Sequence, residues 1–236
     1  MTYSIVARDP KTGDLGVAVQ SHYFSVGSVV TWARSGVGAI ATQSMAEISY
    51  GPLGLDLMAG GRSAKEALES LLRSDSKAET RQVGMIDSNG VVSAHTGARC
   101  IASAGHFIGD QFSCQANLMS NDTIWTEMEK AFTRNSNLEL PERLAATLEA
   151  AENAGGDARG KQSAAILVVS SKQYPNSWSG RIVDLRVEDN PEPIPELQRL
   201  IQVKRAYDWV EKGDDLLAIG KIDESLRAFE KAGQLA

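Results

Sequence analysis

Cysteine is scarce in this chain: Cys100 and Cys114 are the only two among 236 residues. Two thiols make no disulfide framework, and without a C-x-x-C pair or a His-rich spacing there is no zinc site. Both read as reduced, and no metal or cofactor is implied by any motif. Long apolar runs are missing as well. No stretch approaches the roughly 18 residues of a membrane-spanning helix, and the opening MTYSIVARDP has neither the basic nor the apolar segment of a secretion signal. A cytoplasmic protein with no membrane partner is the expectation. Positive charge is in deficit, with 24 Lys and Arg against 30 Asp and Glu and a net charge of -6. Nucleic-acid phosphates demand a basic face, which this balance does not supply. A small-molecule or protein partner remains.

What is present is ordinary globular material, 42% hydrophobic and 23% charged. Its length suits one large core with an appendage. Residues 3–8 alternate, with Tyr3, Ile5 and Ala7 on one face, and a second run covers 15–20. The turn-rich Asp9-Pro10-Lys11-Thr12-Gly13-Asp14 between them predicts a β-hairpin. Strands are also expected over 29–34 and 37–42, on either side of Ser35-Gly36. Ser63 and Glu66 have capping-box spacing, and Ala64, Ala67, Leu68, Leu71 and Leu72 recur with helical period, so a helix covers about 63–74. Asn89-Gly90, between strand-like 82–87 and 91–96, predicts a type I′ hairpin. Asp122 is placed to cap a helix carrying Ile124, Met128, Ala131 and Phe132 on one face; Pro141 opens another that ends at Gly155-Gly156. The nearly continuous apolar run 163–171 suits a strand buried on both faces, and 182–187 follows as its neighbour. Hairpin links outnumber single-helix crossovers. The fold class is therefore α+β, two mainly antiparallel sheets covered by helices, and a four-layer αββα sandwich is the natural solution.

After Asn190 the texture changes. Pro191-Glu192-Pro193-Ile194-Pro195 reads as a stiff linker, and helical periodicity runs from Glu196 to the end. The expected organisation is a main domain over 1–190, a linker over 191–195 and a helical tail over 196–236. Within the tail Gly213, Leu216, Gly220, Ile222, Ser225, Leu226, Phe229 and Ala232 resemble one tetratricopeptide helix-turn-helix unit. A single unit cannot bury its own face. Docking on the main domain or on a second copy is favoured over peptide recruitment, so a homo-oligomer formed through these helices is expected.

TYSIVARDPKTGDLGVAVQSHYFSVGSVVTWARSGVGAIATQS, followed by SYGPLGL, TGARC, AGH, CQAN, GGDARGKQSAAILVV and VDLRVEDNPEPIPELQRL, resembles the bacterial and archaeal family called domain of unknown function 1028. The resemblance spans about residues 2–200. That family is similar to N-terminal-nucleophile (Ntn) hydrolases, whose fold is the αββα sandwich. Two positions depart from the family's pattern: His22 stands where a longer basic residue is common, and Glu47 where Asn is common.

The resemblance implies a chemistry. Removal of Met1 leaves Thr2 first, and its own α-amine, with a reference pKa of about 7.7 to 8.0, can take the hydroxyl proton. Thr2 is then nucleophile and base together. Read alone, a Thr after Met at the start of a strand is unremarkable. Arg34 falls where related Ntn enzymes place a cation that keeps the amine neutral; its bland reading is a solvated strand-end arginine. Asp157 and Ser163, in GGDARGKQSA, are placed to orient amine and hydroxyl, by fold-level analogy. Equally, Asp157 caps a turn after Gly155 and Gly156. The backbone at Gln43 and Ser44 is a candidate oxyanion site. Ser21, His22, Gln43, Ser44 and Glu47 are the candidate substrate-binding positions.

Other motifs carry less. His22, His95 and His106 are scattered with no H-E-x-x-H or G-x-S-x-G. Gly36-Val37-Gly38-Ala39-Ile40-Ala41 matches a loose dinucleotide pattern but leads into a strand, so no helix N-terminus is there to cradle phosphate. Two functions follow from different classes: an amidohydrolase cleaving a small amide or short peptide through a Thr2 acyl-enzyme, or a catalytically silent Ntn-like binding protein.

Overall fold

The computed structural model describes residues 2–176 and 178–235. Met1 lies outside the described residues, and so does the expectation of its removal. In chain order the elements are β1 (Thr2–Arg8), β2 (Leu15–Ser21), α1 (Gly27–Val30), β3 (Thr31–Arg34), β4 (Gly38–Ser44), α2 (Tyr50–Ala59), α3 (Ala64–Ser74), β5 (Arg81–Asp87), β6 (Val92–Thr96), β7 (Gly105–Gly109), β8 (Phe112–Asn117), α4 (Ile124–Arg134), α5 (Leu140–Asn153), β9 (Ser163–Val169), β10 (Arg181–Val187), α6 (Pro193–Ala218) and α7 (Ile222–Gly233). They make a six-stranded sheet, β10-β9-β2-β1-β8-β7, and a four-stranded sheet, β3-β4-β5-β6. Every strand pair is antiparallel.

Strand alternation assigns each face. Tyr3, Ile5 and Ala7 of β1 join one apolar cluster with Phe132 of α4, Leu144 of α5 and Leu197 of α6. Val6, on the opposite face, joins Val17 and Leu167 of its own sheet and Ala39 and Ile86 of the other. A third cluster covers the far face of the small sheet, where Ile40 and Met85 meet Leu55 of α2 and Leu68 of α3. β1 sits deep in the large sheet, with β2 on one side and β8 on the other. Its first residue, Thr2, is therefore flanked in register by Ser21 and Asn117.

Several local expectations need correction. Residues 29–34 are not one strand: Gly27–Val30 is a helical turn and only Thr31–Arg34 is extended. Packing decides this, because the turn buries Val26 and Val30 between the sheets, and the Thr31 hydroxyl donates back to the Gly27 carbonyl at 2.8 Å. Asn89 keeps a negative φ while Gly90 takes 86°, so the β5–β6 turn is not type I′. Asp87 organises it instead, its Oδ1 accepting from Asn89 and Val91 backbone N–H groups at 2.9 and 3.1 Å. Asn121 rather than Asp122 leads into α4, accepting from the Thr123 N–H at 2.9 Å. The capping box of Ser63 and Glu66 is present as read.

Helix α2 is not among the elements expected from the sequence. It forms because its glycines let it lie close on the sheet. A Cβ on Gly51 would stand 2.3 Å from the Trp32 indole, and one on Gly54 2.6 Å from the Ile40 side chain. Of the proline segment 191–195, expected as a spacer, residues 193–195 form the start of α6, which runs unbroken from Pro193. Ile194, Leu197 and Ile201 are all buried in the large cluster, so the core continues past residue 190 to at least Ile201. Beyond it α6 packs on α7 through Gly213, where a Cβ would stand 2.5 Å from the Phe229 ring. Ser225 donates to the Gly213 carbonyl at 2.8 Å. Among the described residues, no helix is long and apolar enough to cross a membrane.

Candidate active site

Thr2 is 4% exposed and lines a cleft of about 410 Å³ at one end of the two sheets. Its hydroxyl donates to Ser21 Oγ at 3.0 Å. Ser21, Gln43 and Ser44 share the lining with Thr2, the apolar wall is Val26, Val29, Val30 and Ile48, and Arg81 and Arg159 bring the charge. Ser44 ends β4 with a left-handed φ of 69°, uncommon for a residue with a Cβ, and this turns the chain into the rim segment 44–49. Arg81 holds that rim. It donates to the Met45 carbonyl at 2.5 Å and to Asp75 at 2.7 Å, and lies 3.5 Å from Glu47. The bond from Arg81 holds the Asp75 carboxyl below the usual carboxylate range.

Behind Thr2 the space between the sheets is filled with side-chain amides. Gln43 donates to the Thr2 carbonyl at 3.2 Å and to Gln82 Oε1 at 2.7 Å, and Asn117 donates to the same two acceptors at 3.4 and 2.8 Å. Ser4 donates to Gln43 Oε1 at 2.6 Å and receives from Gln115 at 2.9 Å. Gln82 in turn donates to Thr96 Oγ1 at 2.9 Å. Thr96 Oγ1 also lies within hydrogen-bond distance of His106 Nδ1, 2.8 Å away. Burial, then the neighbouring His95, hold the His106 pKa below its ordinary value, which agrees with a neutral ring.

The structure sorts the sequence candidates into three groups. Ser21, Gln43 and Ser44 converge on Thr2 in the cleft. Asp157 and Ser163 stand one layer back. Asp157 Oδ2 accepts from the His22 backbone N–H at 3.1 Å and from Arg159 at 2.9 Å; Ser163 donates to the Tyr23 carbonyl at 2.5 Å and accepts from the Val26 N–H at 3.1 Å. Both fasten the segment that follows Ser21, rather than touching the Thr2 hydroxyl. The third group is not brought to Thr2. Arg34 pairs with Gly38 at the opposite end of β4 from Ser44 and makes a 2.8 Å ion pair with Asp56. The His22 side chain is exposed, and Glu47 turns to Ser49 and Arg81. The cations at the cleft are Arg81 and Arg159, not Arg34.

The model of the family of unknown function DUF1028 matches residues 2–197, from the first residue of β1 into the first turns of α6. The chain belongs to that family. Protein SPO2555 from Silicibacter pomeroyi, a solved DUF1028 structure, is similar over 85% of this chain and 84% of its own, at 30% identity and a TM-score of 0.76. The ancestral β-subunit Anbu from Yersinia bercovieri is aligned over 93% of this chain and 97% of its own, but at 11% identity and a TM-score of 0.39 the likeness carries no argument. No curated protein matches the chain.

In this DUF1028 chain the site residues that went unremarked in the sequence are Arg81, Gln82, Asn117 and Arg159. One signal pointed to Gln82. Gln43, Gln82 and Gln115 each occupy a strand position where the alternating pattern calls for an inward apolar residue, and each is 0–1% exposed. A buried amide in a strand requires partners. Several such positions in different strands mark one shared polar region.

Proposed function

We propose that this chain is an Ntn-type amidohydrolase with a four-layer αββα arrangement, cleaving a small amide or short peptide through an acyl-enzyme on Thr2. The observation that carries the reading is the makeup of the cleft: Thr2, Ser21 and Ser44 contribute hydroxyls, while among the described residues no Asp, Glu, His or Lys lines it. A hydroxyl nucleophile needs a base within reach, and where no side chain offers one the α-amine of the same residue can serve. The three core clusters support the layering, since each lies on a different sheet face.

In this mechanism removal of Met1 frees the Thr2 amine. The amine takes the Oγ1 proton, Oγ1 attacks the amide carbonyl, and the C–N bond breaks as the proton passes to the leaving nitrogen. Water, deprotonated by the same amine, then hydrolyses the ester and restores Thr2. Ser21, which accepts the Thr2 hydroxyl proton at 3.0 Å, orients the nucleophile. Gln43 and Asn117 hold the Thr2 carbonyl, so the residue is anchored on both sides of its Cα.

The test compares Thr2→Ala, Thr2→Ser and a form that retains Met1, each against a panel of small amides. Thr2→Ser keeps activity, whereas Thr2→Ala and the Met1-retaining form fall by about a thousandfold. Single-turnover mass spectrometry finds the acyl adduct on the N-terminal peptide. Wild-type turnover by Thr2→Ala, or by the form whose amine is blocked, ends the Ntn reading and leaves a binding protein.

A further inference from the structure

Three large apolar side chains stand exposed at the cleft that holds Thr2. Tyr23 is 55% exposed, Met45 61% and Ile48 47%, and all three line the cleft together with the buried Val26 and Val30. Apolar residues scattered singly over a surface are ordinary. Here they come from two chain segments, one after β2 and one after β4, and line a single concave space of about 410 Å³. That volume lies in the lower part of the range of small-molecule pockets.

Both segments are fastened through their backbone. In the first, the buried Ser163 donates to the Tyr23 carbonyl at 2.5 Å and accepts from the Val26 N–H at 3.1 Å, and the Ser25 N–H donates to the Glu188 carbonyl at 3.0 Å. In the second, the Met45 carbonyl accepts from Arg81 at 2.5 Å, the Met45 N–H donates to the Thr80 carbonyl at 3.3 Å, and the Thr42 hydroxyl donates to the Glu47 carbonyl at 3.1 Å. Apolar side chains on a backbone already held in place lose less freedom when a ligand covers them. The charged groups of the lining have their counter-ions, Arg81 in Asp75 and Arg159 in Asp157. The apolar surface of Tyr23, Met45 and Ile48 still meets water, and its burial would be favourable.

We infer that the cleft selects amides bearing one large apolar group, aliphatic or aromatic, which packs on Tyr23, Met45 and Ile48 while the amide reaches Thr2. Amides of leucine and phenylalanine type have this composition. The placement of the amide at Thr2 rests on the hydrolase reading above; the apolar preference in binding does not. Tyr23, Met45 and Ile48 are the specificity-determining residues.

Calorimetry on the full-length Thr2→Ala protein, which lacks the Thr2 hydroxyl, compares N-acetylglycinamide, N-acetylleucinamide and N-acetylphenylalaninamide. These are neutral amides that differ in one side chain. The leucine and phenylalanine compounds bind about tenfold tighter than the glycine compound, with a more negative heat-capacity change. Tyr23→Ser, Met45→Ser and Ile48→Ser, each made beside Thr2→Ala, shrink that ratio, whereas Ile48→Met keeps it. Leu53→Ala, at a similarly exposed position on α2 outside the cleft lining, leaves it unchanged. The replaced side chains are exposed, so the variants keep their melting temperature; where one does not, the other two decide. Equal binding of the three amides, no binding by any of them, or a ratio that survives all three serine variants overturns the inference. The two proposals fail separately. Tighter binding of the apolar amides with no hydrolysis by the processed wild type refutes the Ntn reading alone, and equal binding of three amides that the wild type hydrolyses refutes this one alone.

Discussion

The layer between the two sheets has an apolar half and an amide half, and β1 crosses both. At one end Val6 packs with Leu15, Val17, Ala39, Ile86 and Leu167. At the other Ser4 is bonded to Gln43 and Gln115, with Gln82 and Asn117 beyond. Both halves are equally dry, since these Val, Leu, Gln and Asn side chains are at most a few per cent exposed. Their physics differs. Apolar contacts are non-directional, and the Val-rich half tolerates small shifts. A buried amide gains only when each donor meets its acceptor and costs free energy otherwise, so the amide half fixes the position of every strand it touches. Even Gly84 belongs to this arrangement, because a Cβ there would stand 2.4 Å from Gln115 Oε1. The cleft and Thr2 lie at the amide end, where placement matters most.

That contrast can be broken in order of expected effect. Gln82→Leu strips partners from Gln43 and Asn117 and leaves the acceptors Thr96 Oγ1, Gly105 O and Ala116 O without their donor. With each orphaned group costing about 1–3 kcal/mol, the loss is on the order of 4 kcal/mol in urea unfolding, and turnover of any substrate falls with it. An unchanged midpoint would show that the amides do not fix the layer. Leu15→Ala, fully buried in the apolar half, costs about 3 kcal/mol through transfer and cavity terms. It should leave KM and kcat near wild type at temperatures where the protein stays folded.

Gln20 sharpens the comparison from the other side. Its Nε2 and Oε1 have no hydrogen-bond partner among the described residues, and its neighbours in register are Tyr3 and Ala164, both in the helix-side cluster. An amide outside the network is a cost. Gln20→Met should therefore stabilise by about 1 kcal/mol, read as a higher urea midpoint; a lower midpoint means the amide is satisfied in solution.

The smallest effect concerns pH. His106 has a folded pKa below its unfolded value, through burial and then His95. The unfolded chain thus takes up a proton first. The stability this group contributes is complete above about pH 6.5, the unfolded value, and is lost as pH falls through the folded value. Unfolding free energies between neutral and mildly acidic pH should slope accordingly, and His106→Asn should flatten that slope; an unchanged slope assigns it to other groups.

Much of the fold was legible because it is local. The alternation of β1 and β2, the capping box at Ser63 and Glu66 and the apolar run of β9 each appear where the residues indicate. The errors came where packing overrode the local pattern. Val29 and Val30 have strand propensity, yet they close a helical turn because Val26 and Val30 fill the inter-sheet cluster. Pro193 and Pro195 look like spacer residues, yet proline suits the first turn of a helix, and Ile194, Leu197 and Ile201 carry that helix into the core. Of the candidate site, Thr2, Ser21, Gln43 and Ser44 were legible. Arg34 was misplaced because position along a strand does not say which end of the sheet faces the cleft.

The sequence by itself determined the strand faces of β1 and β2, the capped start of α3 and the family, since these rest on period, capping chemistry and matched residues within short stretches. Only the tertiary structure decided that Arg159 rather than Arg34 stands at the cleft, that Asp157 serves the loop after Ser21, and that amides from β4, β5 and β8 meet behind Thr2. These are contacts between residues about forty to more than a hundred positions apart. Nothing in the local spacing of such residues encodes them; they arise from the register in which the antiparallel strands close and the face on which two sheets meet.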